Sequence, residues 1–179
     1  MVDIAKKKLP FAVVTVLVYL SYCAASWYGM RGDLAYYGYN LDFPAWFTND
    51  AWAFFLGGIF PFVIYTVCTV FIYRMLPIKT RGGNVSALRY GISLAVIAAN
   101  VVLFALKFIY IAAPLYAPIL DIILDPVVTV LFVSLYMVYA YKMDYVEKTY
   151  FHVVLTQVLG TFIGVYGLIS IINIITVVA

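Results

Sequence analysis

Three ionisable residues stand inside long apolar stretches of this chain: Lys107, Asp121 and Asp125. A charge in such a setting is costly, so it marks an ion pair, a ligand site or a proton relay. Asp121 and Asp125 are four residues apart, which places both carboxylates on one face of a helix. Lys107 lies about five residues below the end of its own stretch, roughly 7 Å at 1.5 Å per residue, and Asp121 about three below the end of the next. The depths match, so the spacing predicts a Lys107–Asp121 pair across two antiparallel helices. Asp125, one turn deeper and farther from the lysine, is then the member expected to hold a proton near neutrality. A carboxylic acid so placed could act as a general acid or as a proton-coupling group. Asp125, Asp121 and Lys107 are the candidate catalytic residues.

Pro126 follows Asp125 directly. It withdraws a backbone donor and crowds the carbonyl of Ile122. An exposed carbonyl beside two carboxylates suits a cation or a donor group, while a kink satisfied by neighbouring helices is the plainer reading. Other stretches bring polar groups to a similar depth. Asn100 lies seven residues before Lys107, on the same helical face, and Tyr166, Ser170 and Asn173 follow one another at i, i+4, i+7. Tyr19, Tyr22 and Ser26 fall at i, i+3, i+7 near the N-terminus, again on one helical face. Asn100, Tyr166, Ser170, Asn173 and Tyr22 are the candidate ligand-binding residues of one polar pocket, although each set alone is ordinary interhelical hydrogen bonding. Gly160, Gly164 and Gly167 make a small-residue face, for close packing inside a bundle or between subunits. His152 reads as an interfacial histidine.

The elements that must carry these residues follow from composition. Of 179 residues, 66% are apolar and only 11% charged, against about 25% charged in a soluble domain. Five apolar stretches, near 9–29, 51–73, 88–112, 118–142 and 150–178, reach the roughly 20 residues that a helix needs to cross a bilayer. Hydrocarbon cannot satisfy backbone polar groups, so the spans must be helical, and the alternating polarity of barrel strands is absent. The expected fold is all-α, a polytopic membrane helix bundle forming a single domain over 1–179. Lys6, Lys7 and Lys8 before an apolar run resemble a signal peptide, but the run from Pro10 to Met30 has the length of a span.

Of the eleven basic residues nine fall on one side of this threading, Arg31 falls on the other, and Lys107 lies within a span. The imbalance predicts a cytoplasmic N-terminus and a multi-pass protein of the cell membrane. The external segment at 30–50 is dense in aromatic residues (Tyr36, Tyr37, Tyr39, Phe43, Trp46 and Phe47), which suits either an interfacial belt or a lid over an external cavity. Asn84-Val85-Ser86 matches a glycosylation acceptor, but on the cytoplasmic side it is expected to stay unmodified.

Several classes are excluded or disfavoured. One histidine rules out bis-histidine haem and three-histidine metal centres within the chain, and Cys23 and Cys68 lack metal-ligand spacing. Neither metal nor cofactor is expected. The net charge of +3 comes from residues at helix ends rather than a basic patch, which argues against nucleic acid. The expected partners are the lipid bilayer, an apolar small molecule or lipid, and other membrane-protein chains or a second copy.

Asp121-Ile122-Ile123-Leu124-Asp125-Pro126-Val127 is similar to an aspartate-x-x-leucine-aspartate-proline element of the membrane-bound carotenoid-biosynthesis family that includes bisanhydrobacterioruberin hydratase. Tyr150 to Gly160 resembles the Tyr-Phe-Gly-Val-Pro-Leu-x-Asn-x-Leu-Gly segment of that family, with His152 and Val154 in place of glycine and proline. Thr161 replaces a tryptophan, and a tryptophan-rich stretch survives only as Tyr136, Tyr139 and Tyr141. The resemblance covers about 121–160 and implies hydration of a terminal double bond on a polyene. Three functions are expected from these observations: an acid-assisted enzyme acting on an apolar lipid or isoprenoid, a proton- or cation-coupled transporter or channel, or a noncatalytic subunit of a larger membrane complex.

Overall fold

The computed structural model describes the backbone of residues 11–37, 49–75, 85–112 and 117–178, and side chains over 11–31, 49–74, 86–108 and 123–172. The described chain is helical: α1 (Phe11–Tyr37), α2 (Asp50–Gly57), α3 (Ile59–Met75), α4 (Val85–Ala112), α5 (Ala117–Lys142), a 3-10 turn (Lys148–Tyr150) and α6 (Phe151–Val178). Five helical segments are long and apolar enough to cross a membrane. They match the five expected stretches, with α1 running on to Tyr37 and the second stretch divided into α2 and α3.

The division has a local cause. Pro61 has no amide hydrogen and would crowd the carbonyl of Gly57 in a continuous helix. The helix stops at Gly57 and restarts at Ile59, so Pro61 falls in a first turn, where a missing donor costs nothing. The side chains of α1 complete the junction. Tyr19 donates its hydroxyl to the Phe55 carbonyl at 2.7 Å, and the Cys23 thiol faces the same oxygen at 3.9 Å. Gly58 lets this junction approach closely, since a Cβ there would meet the backbone of Cys23 at 2.9 Å. The start of α2 is capped by Asn49, whose side-chain oxygen accepts from the amides of Ala51 at 3.1 Å and Trp52 at 3.3 Å. Asp50 pairs with Arg31 and accepts from the Trp27 indole, tying α2 to α1.

Around the bundle the order is α1, α4, α5, α6 and then α3, which returns to α1. α1 packs most extensively on α4, and α4 is the most enclosed span. A large core fills the half nearer the start of α1, with Ile72, Leu88, Ile92, Val133, Met137, Val154 and Phe162 fully buried. Among the described residues, a smaller cluster of Ala25, Ala99, Leu103 and Val128 in the other half draws on α1, α4 and α5. Among the described residues α6 contributes no buried side chain after Tyr166.

The glycine face of α6 is not used for packing within the bundle. A Cβ at Gly160, Gly164 or Gly167 would meet nothing within 4 Å. Gly160 and Gly164 instead line an open groove of about 450 Å³ between α3 and α6, with Val67, Cys68, Phe71 and Gln157. His152 is exposed at the start of α6. Most of the aromatic segment at 30–50, residues 38–48, lies outside the described residues.

Candidate functional site

α4 carries its buried polar residues, among those described, at steps of seven: Ser93, Asn100 and Lys107. Seven residues are close to two helical turns, so the three form one stripe, and all three are buried. Each meets a different helix. Ser93 donates its hydroxyl proton to the Arg89 carbonyl at 3.0 Å, so the Tyr65 hydroxyl of α3 must donate to Ser93 Oγ at 2.8 Å. Asn100 Nδ2 donates to Ser21 Oγ of α1 at 2.9 Å, and Ser21 passes its own proton to the Val18 carbonyl at 2.8 Å.

Lys107 reaches α5. Its ammonium donates to Asp125 Oδ2 at 3.1 Å, while Oδ1 sits 2.9 Å away as an ionic contact outside hydrogen-bond alignment. The described pair is therefore with Asp125, and the expected pairing with Asp121 falls on a side chain outside the described residues. The lean of side chains lets Lys107 reach the deeper aspartate. In any α-helix the Cα–Cβ bond tilts toward the helix N-terminus. In α4 that direction runs away from the α4–α5 connection, and in antiparallel α5 it runs toward it. The long lysine side chain descends and the aspartate ascends, which closes the one-turn difference between them. The side chains of Asp121 and Asn173 lie outside the described residues, although both belong to helices.

Asp125 is thus the described partner of Lys107. The two partners are unequally enclosed: the lysine side chain is 2% exposed and the aspartate 37%. Asp125 Oδ1 is itself enclosed, so the exposure of the side chain lies elsewhere than at that oxygen. Its sequence neighbours Ile123 and Val127 are exposed on the outer surface of α5.

Beneath the pair the bundle interior is aromatic and hydroxylic. Tyr22 of α1 and Tyr166 of α6 approach hydroxyl to hydroxyl at 3.2 Å. Both Asp125 and the buried hydroxyl of Thr129 lie within electrostatic reach of Tyr166. The Tyr22 and Tyr65 rings are tilted together at 6.1 Å, and Phe162 stacks beside Tyr166 at 6.3 Å. A file of polar groups therefore runs from Ser93–Tyr65 through Tyr22–Tyr166 and Thr129 to Asp125–Lys107.

Of the candidate residues, Lys107, Asp125, Tyr166 and Tyr22 belong to this file, and Asn100 is engaged separately with Ser21. Ser170, one turn after Tyr166, is partly buried. Sequence reasoning missed Ser93, Thr129, Tyr65 and Ser21. Two of them carried a signal: Ser93 continues the step of seven that links Asn100 to Lys107, and Thr129 lies four residues after Asp125 on the same face. Comparison with protein-family models, curated proteins and solved structures gives no match.

Proposed function

We propose that this chain is an integral membrane protein of five spans with a cytoplasmic N-terminus. We further propose that the Lys107–Asp125 pair is the working centre of an enzyme acting on an apolar lipid or isoprenoid. The observation carrying this reading is the unequal exposure of the pair. The Asp125 side chain is 37% exposed between outward apolar side chains while its Oδ1 is enclosed, and an ionisable pair so placed in a bilayer marks a functional site.

The pair supports acid-assisted hydration of a terminal alkene. A proton shift along the 3.1 Å hydrogen bond converts the ion pair into amine and carboxylic acid. An apolar ligand that excludes water favours this neutral form over the separated charges. The acid then gives its proton to the terminal alkene carbon, forming a C–H bond and leaving a tertiary cation. Aromatic faces such as that of Tyr166 suit that cation. Water adds to it, and the proton that water loses returns to the pair. The net change is addition of one water, as the resemblance to carotenoid hydratases implies.

The test uses purified protein in nanodiscs with a polyene bearing a terminal isoprenyl double bond, in ordinary and in oxygen-18 water. The expected product has gained one water carrying the heavy oxygen. The double variant Lys107→Gln with Asp125→Asn, which removes both charges of the pair together, makes none. A wild type that adds no water refutes the hydratase reading. Topology is tested separately by cysteine labelling. Asp33→Cys should be reached from outside and Lys79→Cys and Lys148→Cys from inside, and a common side for all three would refute the five-span orientation.

A second reading is favoured by the polar file and the helix break at Gly58: a proton- or cation-coupled transporter, in which discontinuous helices and midplane polar groups are recurrent. Flux of protons or cations into liposomes, abolished by the same double variant, would select it over the enzyme.

A further inference from the structure

At the opposite end of the bundle from the ion pair, α1, α3 and α4 meet around Arg89. The guanidinium carbon lies 3.5 Å from the centre of the Phe11 ring and 5.3 Å from that of Tyr73. At 3.5 Å a guanidinium must lie flat on the ring, which spends its π-face and leaves its N–H groups pointing outward in their own plane. Phe11 is held in turn by the edge of Tyr90, at 6.2 Å and 87°. One residue along each helix, Ile72 and Leu88 are fully buried, so the clamp sits on the rim of the apolar core.

Arg89 is exposed, and its guanidinium makes no hydrogen bond or ion pair with any described residue. Its positive charge is oriented by rings from two other helices, yet its donors are unused. Such a fork matches the oxygens of a phosphate in pairs. It lies near the start of α4, about 6 Å from the helix end at 1.5 Å per residue, the depth at which a membrane presents headgroups. The geometry points to a binding site for the phosphate of an anionic lipid, seated on Arg89 between α1 and α3. The occupied site ties together three helices, and it is independent of the chemistry at Lys107 and Asp125.

Native mass spectrometry of the full chain, released from nanodiscs of phosphatidylglycerol or of phosphatidylcholine, tests this site. The wild type should retain phosphatidylglycerol through detergent exchange and retain phosphatidylcholine far less. Arg89→Gln should lower the retained phosphatidylglycerol about tenfold, the order expected for losing one charge-assisted pair. Arg89→Lys keeps the charge and guards against misfolding. It should fall between the two, because a point charge replaces a fork. Inorganic phosphate at millimolar concentration should leave lipid retention unchanged, and full displacement by it would overturn the headgroup as the source. Equal retention of the two lipids by the wild type, or phosphatidylglycerol retention untouched in Arg89→Gln, would overturn the site itself.

Discussion

The two halves of the bundle are built on different principles. Toward the start of α1, α3, α4, α5 and α6 all contribute side chains to one apolar core, and residues such as Ile72, Met137 and Phe162 are wholly enclosed. Among the described residues of the other half, α1, α4 and α5 share Ala25, Ala99, Leu103 and Val128, and the largest buried side chain is that of Lys107. The first half holds the helices by packing. The second holds a charge pair and a partly exposed aspartate. Packing concentrated in one half among the described residues leaves the other free to carry the proposed site.

The sharpest way to break this comparison is to empty the packed half. Phe162→Ala should cost about 4 kcal/mol, in the range for a large buried aromatic, read by reversible unfolding in mixed detergent. Specific activity per folded molecule should stay unchanged. A loss of activity beyond the folded fraction would show that the halves are not separable.

Removing one partner of the ion pair comes next. Lys107→Met strands the Asp125 carboxylate and should cost about 3 kcal/mol, the lower end for a broken buried pair because Asp125 is partly exposed. Adding Asp125→Asn should recover most of that loss while activity stays absent. Equal instability of the single and double variants would mean that the charge was never held by its partner.

A smaller effect is expected where α4 and α5 touch in the packed half. A Cβ on Gly91 would land within the Tyr136 ring, whose hydroxyl donates to the Ala87 carbonyl at 2.8 Å. Gly91→Ala should therefore cost about 2 kcal/mol through overpacking, measured by the same unfolding. Tyr136→Leu in that background should restore part of it. The smallest effect belongs to the boundary between the halves. Tyr22→Phe removes one hydroxyl of the Tyr22–Tyr166 contact and should cost about 0.6 kcal/mol, typical of hydrogen bonds between membrane helices. Tyr166→Phe should add little to it, since both changes break the same bond.

Two prolines show how far local reading reaches. Pro126 sits inside α5, which runs unbroken from Ala117 to Lys142. Pro61 divides its span at Gly58. Both withdraw a donor from a helix, so their local chemistry is alike. The neighbours of Pro61 differ, because Tyr19, thirty-six residues from Phe55 in sequence, supplies a hydroxyl to the carbonyl at the break. That contact exists only once α1 lies against α2.

What the sequence determined by itself were five long apolar helices and part of the polar stripe. In a bilayer such runs must satisfy their own backbone groups, which a helix does, and a step of seven stays on one face of any helix. Lys107 and Asn100 are legible in that way, and Ser93, which sequence reasoning missed, continues the step. Tertiary structure decided that Lys107 reaches Asp125, a turn deeper, through the opposing lean of side chains on antiparallel helices. It also decided that the α6 glycines face an open groove. A small-residue face permits close approach, but only the placement of the other helices determines whether one arrives.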